Sequence, residues 1–299
     1  MTNENYWTLP ETYYKIGLCD LLLHSPHVLI GGTTGSGKSV LLDDIIYTII
    51  STHTPNDARI ILVDPKRVTF TKYRHLPHVE QIQTENDAII KLLNDVVFTM
   101  ENRYKKMREK GILNYDGKII FVIIDEIADL MDTAGKRVLP LIQRIAQLGR
   151  ASEIHLICAT QRPSRKTIPA EMVNNFTSRV ALRCLNAIES RQLLNKKGAE
   201  TLPQYGKAIY LHCDGQYHDL DIPYFPELIQ ERIDFWLKQG NNDAYFKQTL
   251  PDFMTVSGGS QKIKFSPLNA LLGDKPISLK TPDLTDFETQ NILSIIDDD

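Results

Sequence analysis

The run Gly32-Thr33-Thr34-Gly35-Ser36-Gly37-Lys38-Ser39 satisfies the pattern G-x-x-x-x-G-K-[ST] at every fixed position. Apolar Val28-Leu29-Ile30 precedes it, and from Val40 to Ile50 apolar residues follow at helical spacing. A strand, a loop and a helix are therefore expected in that order. The three glycines let the loop curl so that backbone N–H groups point inward at a phosphate, and the positive N-terminal end of the next helix adds to the attraction. Gly32 to Val40 is thus the predicted nucleotide-binding segment, with Lys38 reaching the β- and γ-phosphates and Ser39 offering its hydroxyl to Mg²⁺. A glycine-rich turn without a ligand is the alternative; the complete motif in its strand-to-helix context favours a nucleoside triphosphate.

A second set of reactive side chains lies further on. Ile119 to Ile124 is an unbroken apolar run, as in a strand buried on both faces of a parallel sheet, and Asp125-Glu126 follow at once. At that strand end Asp125 is placed to hold the Mg²⁺ hydration shell and Glu126 to orient and deprotonate an attacking water. The competing reading makes the two acids caps of the next helix. Ile154 to Thr160 reads as another buried strand ending in Gln161, a polar residue placed to sense the γ-phosphate.

These residues need a scaffold to converge. Strands are expected at Ala58–Val63, Lys118–Ile124, Ile154–Thr160 and Arg179–Cys184, with a hairpin-like pair at Lys207–His212 and Gln216–Ile222. Helices are expected from about Thr84 to Lys110, from about Lys136 to Leu148 and around Ile188 to Leu194. Gly111 stops the first of these, and Pro65 cannot continue a central strand. Alternation of strand and helix implies an α/β, doubly wound, mainly parallel sheet with an antiparallel extension. The expected organisation is an N-terminal arm (1–25), a nucleotide-binding domain (26–225), C-terminal helices (226–252) and a flexible tail (253–299). In that tail the apolar clusters Phe265 to Leu272 and Ile292 to Ile296 could dock on a partner or a neighbouring subunit, or stay solvated.

Composition bounds the function. The chain of 299 residues is 42% hydrophobic and 24% charged, ordinary for a globular protein. A net charge of −3 argues against a protein coated in basic surface, while leaving room for a narrow basic strip. Cys19, Cys158, Cys184 and Cys213 lie far apart with no C-x-x-C pair, so neither a zinc site nor a disulfide framework is indicated. No apolar run approaches the ~18 residues needed to cross a bilayer, so a cytoplasmic protein without direct membrane insertion is expected.

The motif set resembles the motor domain of the FtsK/SpoIIIE family of DNA translocases. The stretches that carry the resemblance are PHVLIGGTTGSGKSVLL (26–42), LVDPKRV (62–68), TMENRYKKM (99–107), FVIIDEIADLM (121–131), RIAQLGRASEIHLICATQRPS (144–164), and IESRQLL followed by GAETLPQYGKAIY (188–210). They span roughly residues 15 to 225 and suggest a small free-standing member, as on plasmids, conjugative elements or phages. The resemblance implies a RecA-like P-loop NTPase fold and a homo-oligomer, a hexameric ring, that hydrolyses ATP with Mg²⁺ and pulls double-stranded DNA through its pore. By motif, Lys38 and Ser39 bind triphosphate and metal, Asp125 and Glu126 serve magnesium and water, and Gln161 couples the γ-phosphate to movement. An arginine from the adjacent subunit completes such a site, and Arg74, Arg150 and Arg179 are candidates, each equally an ordinary ion pair. Arg162, Arg165 and Lys166 form a basic cluster that could face DNA or be a solvated loop. Full-length members carry membrane spans, a linker and a DNA-reading domain for which this chain has no room, so a membrane-anchored, relaxase or DNA-specificity partner is implied. Two other functions remain open: a type VII-like protein-secretion ATPase, which shares the fold, and a non-motor P-loop switch, which would need neither Glu126 nor Gln161.

Overall fold

The structure, a computed structural model, describes residues 25–240. The arm expected at 1–25, apart from its last residue, the tail expected at 253–299 and any helix beyond residue 240 lie outside the described residues. The chain runs β1 (His27–Gly31), α1 (Lys38–Thr52), β2 (Ala58–Val63), a short 3₁₀ turn (Thr71–Tyr73), β3 (Val79–Gln83), α2 (Asn86–Lys110), β4 (Ile119–Ile124), α3 (Ile127–Leu148) and β5 (Ile154–Thr160). It continues through α4 (Ala170–Val173), β6 (Ser178–Ala181), α5 (Ala187–Leu194), a 3₁₀ turn (Ala199–Thr201), β7 (Lys207–Leu211), β8 (Tyr217–Asp221) and α6 (Pro226–Gln239).

The strands form one sheet in the order β3-β2-β4-β5-β1-β6-β7-β8. Pairing is parallel from β3 to β6, and β7 and β8 add antiparallel. This is the expected doubly wound sheet with its antiparallel extension. Side chains alternate across a strand, and β4 shows why its run is apolar throughout. Phe121 and Ile123 enter one core with α1 and α6, while Ile120, Val122 and Ile124 enter the other with α2 and α3. Neither face can carry a polar residue without burying it. Helices on both sides thus convert a six-residue apolar run into the centre of the sheet.

Three elements depart from the sequence reading. α3 starts directly after Glu126 rather than near Lys136; its backbone leaves helical geometry at Ala134 (φ −139°, ψ 18°), next to Gly135, which interrupts the apolar periodicity. β3 was not predicted, because Val-Glu-Gln-Ile-Gln is mostly polar; it is an edge strand whose side chains are half-buried or exposed. β6 ends at Ala181, short of Cys184, where the chain turns over the glycine-rich loop. α2 ends as expected, with Gly111 at φ 63° receiving the last turn. Among the described residues no helix is long and apolar enough to cross a membrane.

Candidate nucleotide site

Parallel strands deliver their carboxyl ends to one edge of the sheet, where ligands of such folds bind. β1 delivers the glycine-rich loop there. Gly35 and Gly37 hold φ of 77° and 95°, left-handed values that disfavour any side chain. Gly32 is required by packing: a Cβ there would lie 2.6 Å from Ser36 Oγ and 2.8 Å from Leu182 Cβ. Thr33 N–H donates to Arg183 O (2.8 Å) and Ser36 N–H to Thr33 O (3.1 Å), which ties the loop to the chain leaving β6. Thr34 and Ser39 are exposed and Val40 is half-buried. α1 has no acid in its first turn and no side-chain cap, so its first N–H groups are not used by a capping side chain.

Lys38 and Asp125 meet beneath this loop. Lys38 Nζ donates to Asp125 O (2.8 Å) and pairs with the Asp125 carboxylate, both side chains being almost fully buried. Thr69 Oγ1 donates to the other carboxylate oxygen of Asp125 at 2.8 Å. Ser36 Oγ is buried and has no partner among the described residues. A buried ammonium, a buried carboxylate and an orphaned hydroxyl at a glycine-rich loop that leads into a helix N-terminus fit a triphosphate with its divalent cation. The residues that could hold such a cation are Ser39 and Asp125.

Glu126 sits at the N-terminus of α3 but makes no capping hydrogen bond to it. Instead its Oε1 accepts from Thr160 Oγ1 (2.7 Å), and Gln161 N–H lies 3.2 and 3.0 Å from its two oxygens. Gln161 Oε1 in turn accepts from Thr34 Oγ1 at 3.0 Å. The glycine-rich loop, the β4 acids and the end of β5 are therefore joined side chain to side chain.

Sequence reasoning missed Lys66, whose Nζ lies 3.3 Å from Glu126 Oε2. Asp64 builds the turn that carries it, accepting from the N–H groups of Arg67 (2.9 Å), Thr69 (2.8 Å) and Phe70 (3.2 Å). That turn holds Arg67 at φ 65°, a conformation costing on the order of 1 kcal/mol for a side-chain-bearing residue. The available signal was Asp-Pro-Lys-Arg directly after a strand, since such a strand ends at the same sheet edge as β1 and β4.

The arginine candidates fall in three places. Arg179 is corrected: it lies on β6 opposite Leu29, is 8% exposed, and donates to Phe176 O (2.8 Å) and Leu193 O (3.1 Å). Its guanidinium is committed inside its own chain, and burial pulls its pKa down. Arg74 is exposed and follows the first 3₁₀ turn. Arg150 is exposed between α3 and β5, at the amino end of the sheet. Near it His27 is buried, with its pKa pulled down to about 3 by burial first and then by His155 and Arg150. In the basic cluster, Arg162 pairs with Asp129 (2.6 Å) and Asp132 (3.0 Å), which outweigh the lowering effect of desolvation and raise its pKa. Arg165 and Lys166 are exposed.

The sequence pattern of the FtsK/SpoIIIE family matches residues 11–119 and 116–165. Among curated relatives, the DNA translocase FtsK of Brucella melitensis is 32% identical over 278 residues, covering 79% of this chain and 34% of that protein. That of Campylobacter jejuni is 37% identical over 235 residues, covering 74% and 25%. The chain thus spans about a third or less of the length of these relatives. Among solved structures, the pCW3 conjugation coupling protein TcpA, a monomer form with ATPγS, is 30% identical with a TM-score of 0.61, over 69% of this chain and 64% of that one. The cytoplasmic domain of the type VII secretion ATPase EccC from Thermomonospora curvata is 27% identical with a TM-score of 0.59, over 67% and 25%.

Proposed function

This chain belongs to the FtsK/SpoIIIE family, and on that premise we propose that it is an ATP-driven motor for double-stranded DNA, working as an oligomeric ring in DNA transfer, segregation or packaging. One observation carries the hydrolytic part: Glu126 is held by Thr160 and Gln161 beside the buried Lys38–Asp125 pair, in place to act on water at a bound γ-phosphate. The loop amides and Lys38 hold the phosphates, and Ser39 and Asp125 would hold Mg²⁺. Bound there, the ion would neutralise charge that develops on the phosphates. Glu126 accepts the proton as the water oxygen bonds to the γ-phosphorus; the bond to the bridging oxygen breaks and its electrons leave with ADP. In this proposal Gln161, hydrogen-bonded to Thr34, senses the γ-phosphate.

An arginine from a neighbouring copy completes the site in this proposal. Arg150 fits best, being exposed and at the opposite end of the strands from the glycine-rich loop, with Arg74 the other candidate. Arg162, Arg165 and Lys166 are the proposed contacts to DNA phosphates. The likeness to EccC supports a second reading, an ATPase that moves polypeptide. The test is ATP turnover with and without linear duplex DNA. We expect stimulation by DNA and a DNA affinity that falls steeply with salt, since phosphate contacts release counterions. Stimulation by a secreted peptide and none by DNA overturns the motor reading in favour of the second.

A further inference from the structure

Both oxygens of Glu126 are occupied, and the donors differ in how easily each can leave. Thr160 Oγ1 and the Gln161 N–H belong to the end of β5 and are fixed by the sheet. The fourth contact is the Lys66 ammonium on Oε2 at 3.3 Å. Lys66 is a long side chain on a turn and is 37% exposed, whereas Glu126 is 1% exposed. Lys66 also donates to Gln161 Oε1 at a long 3.4 Å, and of the groups that hold the carboxylate it is the one on a long side chain able to swing.

A destination for it is already present. Lys66 Nζ stands 3.9 Å from Asp129 Oδ2, on the first turn of α3. The other oxygen of Asp129 is 2.6 Å from Arg162, which also pairs with Asp132. Two cations therefore share Asp129, the arginine closely and the lysine loosely, and each weakens the hold on the other. Removing Arg162 ends its repulsion of the lysine and leaves Asp129 with one cation. A movement of about 1 Å would then bring Lys66 within hydrogen-bond distance of Asp129.

We infer that Lys66 is a positioning residue that restrains Glu126, and that Asp129 withdraws it when Arg162 is drawn away to a phosphate of duplex DNA. The inference rests on the motor reading above, and it supplies that reading with a physical link between DNA contact and hydrolysis. With Lys66 on Glu126, Oε2 is engaged by an ammonium and is a poor acceptor for the proton of water. With Lys66 on Asp129, that oxygen keeps only the Gln161 N–H and has a lone pair free for the proton of water. Arg162 exchanges its two carboxylates for a phosphate; Asp129 keeps Lys66 as its cation, exposed Asp132 is left to solvent, and Glu126 keeps its hydrogen bonds from Thr160 and Gln161.

The test compares ATP turnover of the parent chain with Arg162→Ala, Asp129→Asn, Lys66→Ala and the double variant Arg162→Ala/Asp129→Asn, each with and without linear duplex DNA. Thermal melting and binding of a fluorescent ATP analogue confirm that each variant is folded. Arg162→Ala is expected to raise the DNA-free kcat at least about fivefold, the lower end of ordinary coupling between sites, with KM unchanged. The double variant is expected to lose that rise, because the acceptor for the lysine is gone. Asp129→Asn is expected to bind DNA without a rise in turnover. Lys66→Ala is expected to raise the DNA-free rate and to respond no further to DNA. A DNA-free rate in Arg162→Ala equal to that of the parent, or an Asp129→Asn variant stimulated like the parent, overturns the inference. A parent that hydrolyses ATP without any response to DNA refutes the motor reading instead, and the DNA-free comparison of the single and double variants still decides the role of Lys66.

Discussion

Lys38 and Asp125 are a pair of opposite charges almost wholly removed from water, a state stable only while each has the other or a ligand. Lys38→Ala is therefore expected to abolish hydrolysis and weaken ATP binding, and to lower the thermal midpoint of the nucleotide-free protein by leaving Asp125 unpaired. Unchanged turnover would refute the site. Glu126→Gln keeps an acceptor for the Thr160 hydroxyl but cannot take a proton; ATP binding should survive while kcat falls by ~10²- to 10⁴-fold. Single-turnover assays on bound ATP separate the two steps. His27 provides a pH signature remote from the chemistry. Its folded pKa, about 3, lies below the unfolded 6.5, so the unfolded chain binds more protons between those values and stability falls as pH drops through that window. The slope due to this group approaches ~1.4 kcal/mol per pH unit. His27→Gln should flatten it in urea titrations at pH 7 and pH 5, and an unchanged slope would remove His27 as its source. At this scale the motifs placed Lys38, Ser39, Asp125, Glu126 and Gln161 at one edge of the sheet. Asp-Pro-Lys-Arg after a strand could have put Lys66 at that edge too, but not its contact with Glu126, which depends on β2 lying beside β4 and which no local pattern encodes. Nor could the motifs show that Arg179, paired opposite Leu29 in the middle of the sheet, must be satisfied from within.

The legible elements are those whose pattern is dictated by burial. β2, β4 and β5 are apolar runs because helices cover both faces, and α2 shows its buried stripe from Ile89 to Met107. Where burial is partial or the backbone kinks, the pattern fades. β3 pairs along one side of β2 and keeps a polar sequence, and α3 loses its periodicity at Ala134 before regaining it. α6 shows the reverse case, an element whose position follows from one side chain. Trp236 is fully buried, meets His78 edge-on at 4.7 Å and donates its indole N–H to Ile50 O at 2.7 Å, near the C-terminal end of α1. Trp236→Ala should cost about 3–5 kcal/mol through the cavity it opens. Trp236→Phe should cost on the order of 1 kcal/mol, chiefly for the carbonyl left without its donor. Ile50 is twelve residues beyond Lys38, roughly 18 Å along the helix. ATP affinity under native conditions should therefore be nearly unchanged in both variants. A loss of affinity parallel to the loss of stability would show that α6 supports the loop directly.

At the scale of the molecule, the sheet separates two halves of the proposed chemistry. The glycine-rich loop, Asp125, Glu126 and Gln161 lie at the carboxyl ends of the strands, while Arg150 precedes β5 at the amino end. β5 has seven residues, about 23 Å of extended chain, so one copy cannot bring its own Arg150 to its own Lys38. If Arg150 acts on the γ-phosphate, a second copy must present it, and a contact between opposite ends of identical chains is heterologous and closes into a ring when its rotation allows. This geometry permits a complementation test. Lys38→Ala and Arg150→Ala should each be inactive alone. Mixed in equal amounts, they should form interfaces in which an intact loop from one copy meets an intact arginine from the other, about a quarter of the total for random assembly of such a ring. Turnover should therefore reappear in the mixture. Persistent inactivity of the mixture, with each variant still assembling, would show that the arginine does not act in trans, and recovery in a parallel mixture made with Arg74→Ala would move the role to that residue.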